Sequence, residues 1–275
     1  MIAKLIVIAI GILLLVLWVK YFKAIRCGNM ILFSGGIKTG KTTLSVRQAT
    51  QLHFWQKVKV CIIYNHWLRY MKQCFSKKYI EKKAKPLLYS NIPLKCKYVP
   101  VTKALLLREE KPVEKSVCYL SEASLIADSM TYKDPLLNEQ LLLFNKLWGH
   151  ASKGGYLIYD TQSVSDNHFA VKRCLNSYFY IHHCIKIPFF IVMWLREERY
   201  SEDSINTYGE DIEESMKIHI VPKSVWKKFD CYCYSALTDD KPSMSEKDQK
   251  IAKDLKAKDI VSFKDYKTLK GDKRK

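Results

Sequence analysis

The sequence predicts an α/β fold: a mostly parallel sheet flanked by helices and preceded by one transmembrane helix. Three observations carry this. The apolar run Met30–Ser34 (MILFS) leads into a glycine-containing turn, "GGIKTGKT" at 35–42, and then into "TLSVRQATQLHFW", which can run as a helix. Strand, turn and helix in that order form the unit from which parallel sheets are built. Further apolar runs, in "KSVCYLSEAS" and "GGYLIYDTQ", alternate with helical stretches downstream, and Leu5 to Val19 carries no charge at all.

Taking the elements in order, the N-terminal run is flanked by Lys4 and Lys20. A spanning helix needs roughly 17–25 residues to cross about 30 Å of hydrocarbon. Both lysines can extend their stems and keep their ammonium groups at the interface, which makes the run sufficient. No small-x-small cleavage pattern follows, since "YFKAIRC" is bulky and basic, and Arg26 stands where a lipoprotein site before Cys27 needs a small residue. The segment therefore reads as an uncleaved anchor. Lys20, Lys23 and Arg26 outweigh Lys4, which directs the rest of the chain to the cytoplasmic side. A second apolar stretch, "YFYIHHCIKIPFFIVMWL", contains His182, His183, Lys186 and Pro188. It predicts two strands with a turn at Pro188 rather than a second span.

The chain has 275 residues, 48% of them hydrophobic, which suits one full-sized domain with appendages. Its formal charge is +19, concentrated in "RYMKQCFSKKYIEKKAK" and in the C-terminal lysine-rich stretch. That balance suits a polyanion or an anionic membrane face as partner, and equally a solvated surface. The nine cysteines are odd in number and show no repeated spacing; the chain is too long for a small disulfide scaffold, and free thiols in a reducing compartment are expected. "HHC" at 182–184 and "CYC" at 231–233 lack the spacing that turns metal ligands inward, and they read as core or strand residues.

The turn after MILFS fits G-x-x-x-x-G-K-[ST]. Gly35, Gly36 and Gly40 let the backbone adopt positive φ so that successive N–H groups point at one anion, with Thr39 inside the same loop. The helix beginning near Lys41 adds its positive dipole end. In this pattern Lys41 bridges the β- and γ-phosphates of ATP, Thr42 ligates Mg²⁺ through its hydroxyl, and Thr43 reaches the α-phosphate. A P-loop ATPase also needs a carboxylate on another strand to hold Mg²⁺ through water and a glutamate to polarise the attacking water. "KSVCYLSEAS" presents Ser121–Glu122 where Asp–Glu is expected. Glu122 is the candidate catalytic base. Ser121 can orient a Mg²⁺-bound water but carries no charge, so weaker metal binding and slower turnover are expected. A strand-end glutamate in solvent is the competing description. In "GGYLIYDTQSVSDNHFAVKRC" the strand ends at Asp160–Thr161–Gln162; Gln162 is the candidate γ-phosphate sensor, Thr161 the second choice, and Arg173 a candidate for action across a subunit boundary.

These blocks resemble the Zot-type family, the assembly ATPases of filamentous phages, related to the FtsK–HerA class of DNA pumps. The resemblance rests on "GGIKTGKTT", "LLYSNIPLK", "LSEAS" and "GHASKGGYLIYDTQSVSDNHF" in order, with "VPKSVWKKFDCYCYS" similar to the family's closing segment. It implies nucleotide contacts at Gly35, Gly40, Lys41 and Thr42, water activation by Glu122 and a sensor at Gln162. Two features depart from it: the anchor precedes the ATPase, and Asp is missing before Glu122.

The chain then divides into an anchor at 1–26, an ATPase domain at 27–238 and a basic tail at 239–275 that reads as disordered or weakly helical. The basic interval from Tyr64 to Lys85, with interspersed aromatics, predicts an inserted helix near membrane or DNA. The acidic stretch "REERYSEDSINTYGEDIEES" predicts a surface hairpin or loop. The resulting functional expectation is a membrane-anchored ATPase that drives virion assembly, extrusion or DNA packaging. Its partners would be ATP, the cell membrane, non-specific nucleic acid or coat and assembly proteins, and further copies of itself in a ring. Ser121 favours an alternative, a nucleotide-switched and weakly hydrolysing scaffold. A small-molecule kinase is a third class, against which the anchor and the Gln162 strand argue.

Overall fold

The computed structural model describes residues 11, 24–25, 27–76, 79–122, 135–162, 171, 174–199 and 213–229. The predicted anchor therefore lies almost wholly outside the described residues, as do Arg173, the cysteines at 231 and 233 and the basic tail. Among the described residues no helix is long and apolar enough to cross a membrane.

The first strand, β1 (Met30–Ser34), is buried at every position. A continuous apolar run of this kind belongs to a parallel strand covered on both faces. The loop after it opens α1 (Lys41–Lys57), which continues through a π-type segment (Val58–Leu68) into α2 (Arg69–Ser76). The chain returns through β2 (Leu88–Ser90), β3 (Val99–Pro100), the short α3 (Lys103–Leu106) and β4 (Val117–Leu120). Helix α4 (Pro135–Ala151) and β5 (Tyr156–Thr161) follow, then β6 (Ser177–Lys186), β7 (Phe190–Arg199), β8 (Glu213–Pro222) and a 3₁₀ turn at Lys223–Lys228.

One eight-stranded sheet runs β3-β2-β4-β5-β1-β6-β7-β8. The pairings from β3 across to β6 are parallel, and β6–β7 and β7–β8 are antiparallel. Sheet and helices together match the expected mostly parallel α/β architecture. The period-2 alternation of strand side chains splits the core into two layers. On one face Ile31, Phe33, Tyr119, Ile158 and Phe179 pack against Leu44, Ala49 and Leu52 of α1. On the other, Leu32, Leu120 and Tyr159 pack against Leu141, Phe144 and Trp148 of α4.

Several sequence expectations meet the structure here. The stretch around Pro188 forms the β6–β7 hairpin, with Ile187 N–H donating to the Phe190 carbonyl across the turn. The acidic stretch forms the paired ends of β7 and β8, Glu197 opposite Ser215 and Arg199 opposite Glu213, and its middle lies outside the described residues. The basic interval is not a separate inserted helix. It is the continuation of α1, and by Tyr79 the chain has left the helix. The returning segment is then held by Asn65 Nδ2 donating to the Lys83 carbonyl at 3.0 Å and Arg69 Nη1 to the Ile80 carbonyl at 3.2 Å. No glycine or proline interrupts the chain from Lys41 to Ser76, which permits the helix to run on past Lys57. Beyond the sheet this extension leaves Trp67, Tyr70 and Phe75 exposed. The seven described cysteines are free thiols, and burial pushes Cys27 up to about 12.

The phenyl ring of Phe179 is fully buried and stacks on Phe33 with ring centroids 5.3 Å apart. Phe179→Ala is expected to remove about 3–5 kcal/mol of stability, measured as a shift of the guanidinium unfolding midpoint. A loss below about 1 kcal/mol would contradict a packed core on this face.

Candidate functional site

The C-terminal ends of parallel strands are where open α/β sheets place their ligands. Here the ends of β1, β4 and β5 converge under the start of α1. Gly35 is buried at the exit of β1, and a Cβ on it would lie 2.8 Å from Thr39 Oγ1 and 3.2 Å from the Ile181 side chain of β6. Gly36, Ile37 and Lys38 form the exposed crest of the loop, and Lys38 is left-handed with φ 64°. Thr39 closes the turn by donating its hydroxyl to the Gly36 carbonyl at 2.8 Å. Gly40 follows at φ 87°, and a Cβ there would meet Met193 Cε of β7 at 2.7 Å. Only glycine fits that combination of left-handed backbone and close neighbour.

Gly40 is the N-cap of α1, so no side chain satisfies the first N–H groups, and the first turn holds no acidic residue. The helix begins with its positive end uncompensated, as an anion-binding turn requires. Lys41 is buried at 7% exposure, Thr42 is half-buried and Thr43 is buried at 3%.

The residues of the second motif come to the same place. Lys41 Nζ lies 3.2 Å from Glu122 Oε1, bringing together the ammonium and the candidate base. Glu122 sits at φ 52°, a left-handed conformation uncommon for a residue with a side chain and worth about 1–3 kcal/mol of strain. Its backbone N–H donates to Asp160 Oδ1 at 2.8 Å. Ser121 is held from both sides. Its backbone N–H donates to Asn91 Oδ1 at 2.7 Å, Asn91 Nδ2 returns a bond to the Ser121 carbonyl at 2.9 Å, and Ser121 Oγ donates to Asp160 Oδ1 at 3.1 Å.

Asp160 is the residue whose importance the sequence did not reveal. It is fully buried, and its other oxygen accepts from Tyr119 Oη at 2.6 Å. Burial pushes its carboxyl above the ordinary range, and the Tyr119 and Glu122 donors and the Lys41 charge pull the other way. Tyr119, buried beside this anion, is held well above the usual phenol range. A lone carboxylate interrupting the apolar strand "YLIYDT" was the available signal. Thr161, the second-choice sensor, is fully buried and pairs with Ser34 of β1, whereas Gln162 is exposed at the tip just beyond β5.

Among the described residues no group of three His, Cys, Asp or Glu side chains could enclose a metal ion. The donors present are hydroxyls and carboxylates at a phosphate-binding turn. These suit Mg²⁺, which keeps much of its water and takes one or two protein ligands beside phosphate oxygens.

The strand order and this loop together define a P-loop NTPase fold. No protein-family model and no curated protein matches the sequence. Solved structures similar to the chain include the N-terminal domain of zonular occludens toxin from Neisseria meningitidis. That domain is 16% identical, the match covers 74% of this chain and 100% of that one, and the TM-score is 0.40. The genome packaging NTPase B204 from Sulfolobus turreted icosahedral virus 2, in complex with AMP, is 12% identical over 71% of this chain and 98% of its own, with TM-score 0.35. A KaiC-like protein from the archaeon Pyrococcus horikoshii is 12% identical over 74% and 94%, with TM-score 0.38. These likenesses are distant, and the class rests on the chain's own topology and loop.

Gly40→Ala is expected to cost about 1–2 kcal/mol in the left-handed N-cap and to weaken ATP binding roughly tenfold. The check is the ATP-induced rise in thermal midpoint, which should shrink relative to the wild type.

Proposed function

We propose that the chain is a membrane-anchored P-loop ATPase that powers virion assembly, extrusion or DNA packaging. The observation that carries it is the 3.2 Å contact between Lys41 and Glu122. Two residues selected separately, one for phosphate and one for water, meet across the mouth of the loop. ATP binds with its phosphates on the N–H groups of 35–43. Its charge draws Lys41 away from Glu122, and the freed carboxylate accepts a proton from the water that attacks the γ-phosphorus. The bond to the bridging oxygen breaks, and ADP and phosphate leave. Gln162, just past β5, orients that water or reads the γ-phosphate. Mg²⁺ would be held by Thr42, and through water by Ser121, and when bound it neutralises charge on the phosphates.

The wider assignment extends this site to its setting. The uncharged run at 5–19 anchors the chain in the host cell membrane, and the basic residues after it keep the ATPase domain (27–238) cytoplasmic. The net charge of +19 and the lysine-rich tail suit non-specific contact with a nucleic-acid backbone. A ring of copies, with Arg173 reaching a neighbour's nucleotide, is part of the proposal, as are coat or assembly proteins as cargo. Ser121 supports a second reading, in which nucleotide only switches a membrane scaffold and turnover is slow or absent.

Phosphate release from detergent-solubilised protein tests this. Wild type is expected to release phosphate only with Mg²⁺. Lys41→Ala should abolish both binding and release. Glu122→Gln should bind ATP at least as tightly as wild type, because the competing anion is gone, while release falls about 10²–10⁴-fold. Equal turnover in wild type and Glu122→Gln would place the base elsewhere. Binding without release, with or without DNA, would leave the scaffold; phosphate transfer to an added nucleoside would point to a kinase.

A further inference from the structure

We infer that Asp160, on β5, supplies the acidic group that β4 lacks at Ser121. It acts as a positioning residue that holds the Ser121–Glu122 strand end and carries the negative charge a hydrated Mg²⁺ requires. The inference rests on the nucleotide-binding reading above.

Register places the two residues side by side. Leu120 pairs with Tyr159 in parallel, so Ser121 and Asp160 are the next residues along the two strands. Alternation puts Asp160 on the same face as Ile158, the face covered by α1 and the start of the phosphate loop. The missing carboxylate is therefore displaced sideways by one strand, not lost from the site.

The bonding pattern is that of an anion. Tyr119 Oη, Ser121 Oγ and the Glu122 backbone N–H all donate to Asp160. A buried carboxylate needs such partners to persist. Two of the three donors are the residues at the disputed positions. Ser121 Oγ, 3.1 Å from Oδ1, donates its proton to Asp160 and so keeps lone pairs available as an acceptor. The Glu122 N–H, held at 2.8 Å, fixes a residue that would not otherwise stay at φ 52°. The Lys41 charge is felt at Asp160, which ties it electrostatically to the phosphate-binding lysine.

A merely structural pin for Tyr119 is the alternative, and the test separates the two. Full-length protein in detergent is titrated with a fluorescent ATP analogue, first in EDTA and then with increasing Mg²⁺. The expectation for Asp160→Asn is binding in EDTA within about twofold of wild type, with about tenfold more Mg²⁺ needed for half-maximal enhancement. Restoring the acid at its usual place, in the double variant Asp160→Ser/Ser121→Asp, should bring the Mg²⁺ requirement back toward wild type. An unchanged Mg²⁺ requirement in Asp160→Asn overturns the inference. So does a folded double variant that still needs the higher Mg²⁺. Should Asp160→Asn fail to fold, the double variant decides, and failure of both to fold makes Asp160 a fold determinant only. If wild type does not bind the analogue, or Lys41→Ala binds it as wild type does, the nucleotide reading fails and takes this inference with it. An intact wild type and a silent Lys41→Ala, with Asp160→Asn unchanged, fails the inference alone.

Discussion

Lys41 can neutralise one anion at a time, and the organisation of the site follows from that constraint. Its ammonium is buried, so it cannot fall back on water, and in the described structure it takes Glu122 as its partner. A part-buried ion pair of this kind contributes little net stability, because desolvation offsets most of the attraction. Its consequence is kinetic and chemical. In the proposed reaction, the closed pair keeps the carboxylate occupied, so that it cannot serve as the base until the pair opens. A triphosphate brings several negative charges to the same ammonium, together with backbone N–H groups that Glu122 does not use, and it can outcompete the single carboxylate. On the proposed reading, base and substrate would thereby be coupled through Lys41.

The sheet makes this coupling possible by placing chemically unlike strand ends at one level. β5 lies between the phosphate-loop strand and β4, so a side chain at its end can reach both. Asp160 does so, and its three donors make the strand ends of β4 and β5 one hydrogen-bonded unit. Asn91, just after β2, closes the far side of Ser121. The result is a rigid floor under a loop whose crest, Gly36 to Lys38, is exposed. Rigid floors and exposed loops divide the work in the usual way: the scaffold sets distances, and the loop meets the ligand.

How far this was legible in the sequence depends on whether each feature is local. The strand–turn–helix unit at 30–57 was legible, because its apolar run, its clustered glycines and the helix after them are close in sequence. The β6–β7 hairpin was legible for the same reason, with Pro188 punctuating two apolar runs. Glu122 could be selected as a strand-end residue, yet its contact with Lys41 depends on a sheet order that no short segment contains. Asp160 was harder still. In the sequence it is one of three polar residues at a strand end, and only the lateral pairing with Ser121 distinguishes it from Gln162. The helix expected in the basic interval is present over 64–76, but its continuity with α1 was not legible, because it depends on where the first helix ends rather than on the composition of the interval.

The proposed motor would have to connect its nucleotide to whatever holds it in place, and the fold offers a short connection at Ile25. Ile25 is buried in the core beneath α1, with its backbone N–H donating to Gln48 Oε1 at 2.9 Å and its carbonyl accepting from Gln48 Nε2 at 2.8 Å. Gln48 lies two turns along the same helix whose first residue is Lys41. Gly28 N–H is bonded in turn to Ser177 Oγ, and Met30 N–H to Asn176 Oδ1, so the approach to β1 is clamped on the β6 side as well. A flexible linker would dissipate any displacement of the phosphate-loop helix as chain entropy. A segment bonded directly to that helix cannot. Ile25 thus enters the domain bonded to the helix that follows the glycine turn, and in the proposed membrane-anchored ATPase this is where the tether would attach.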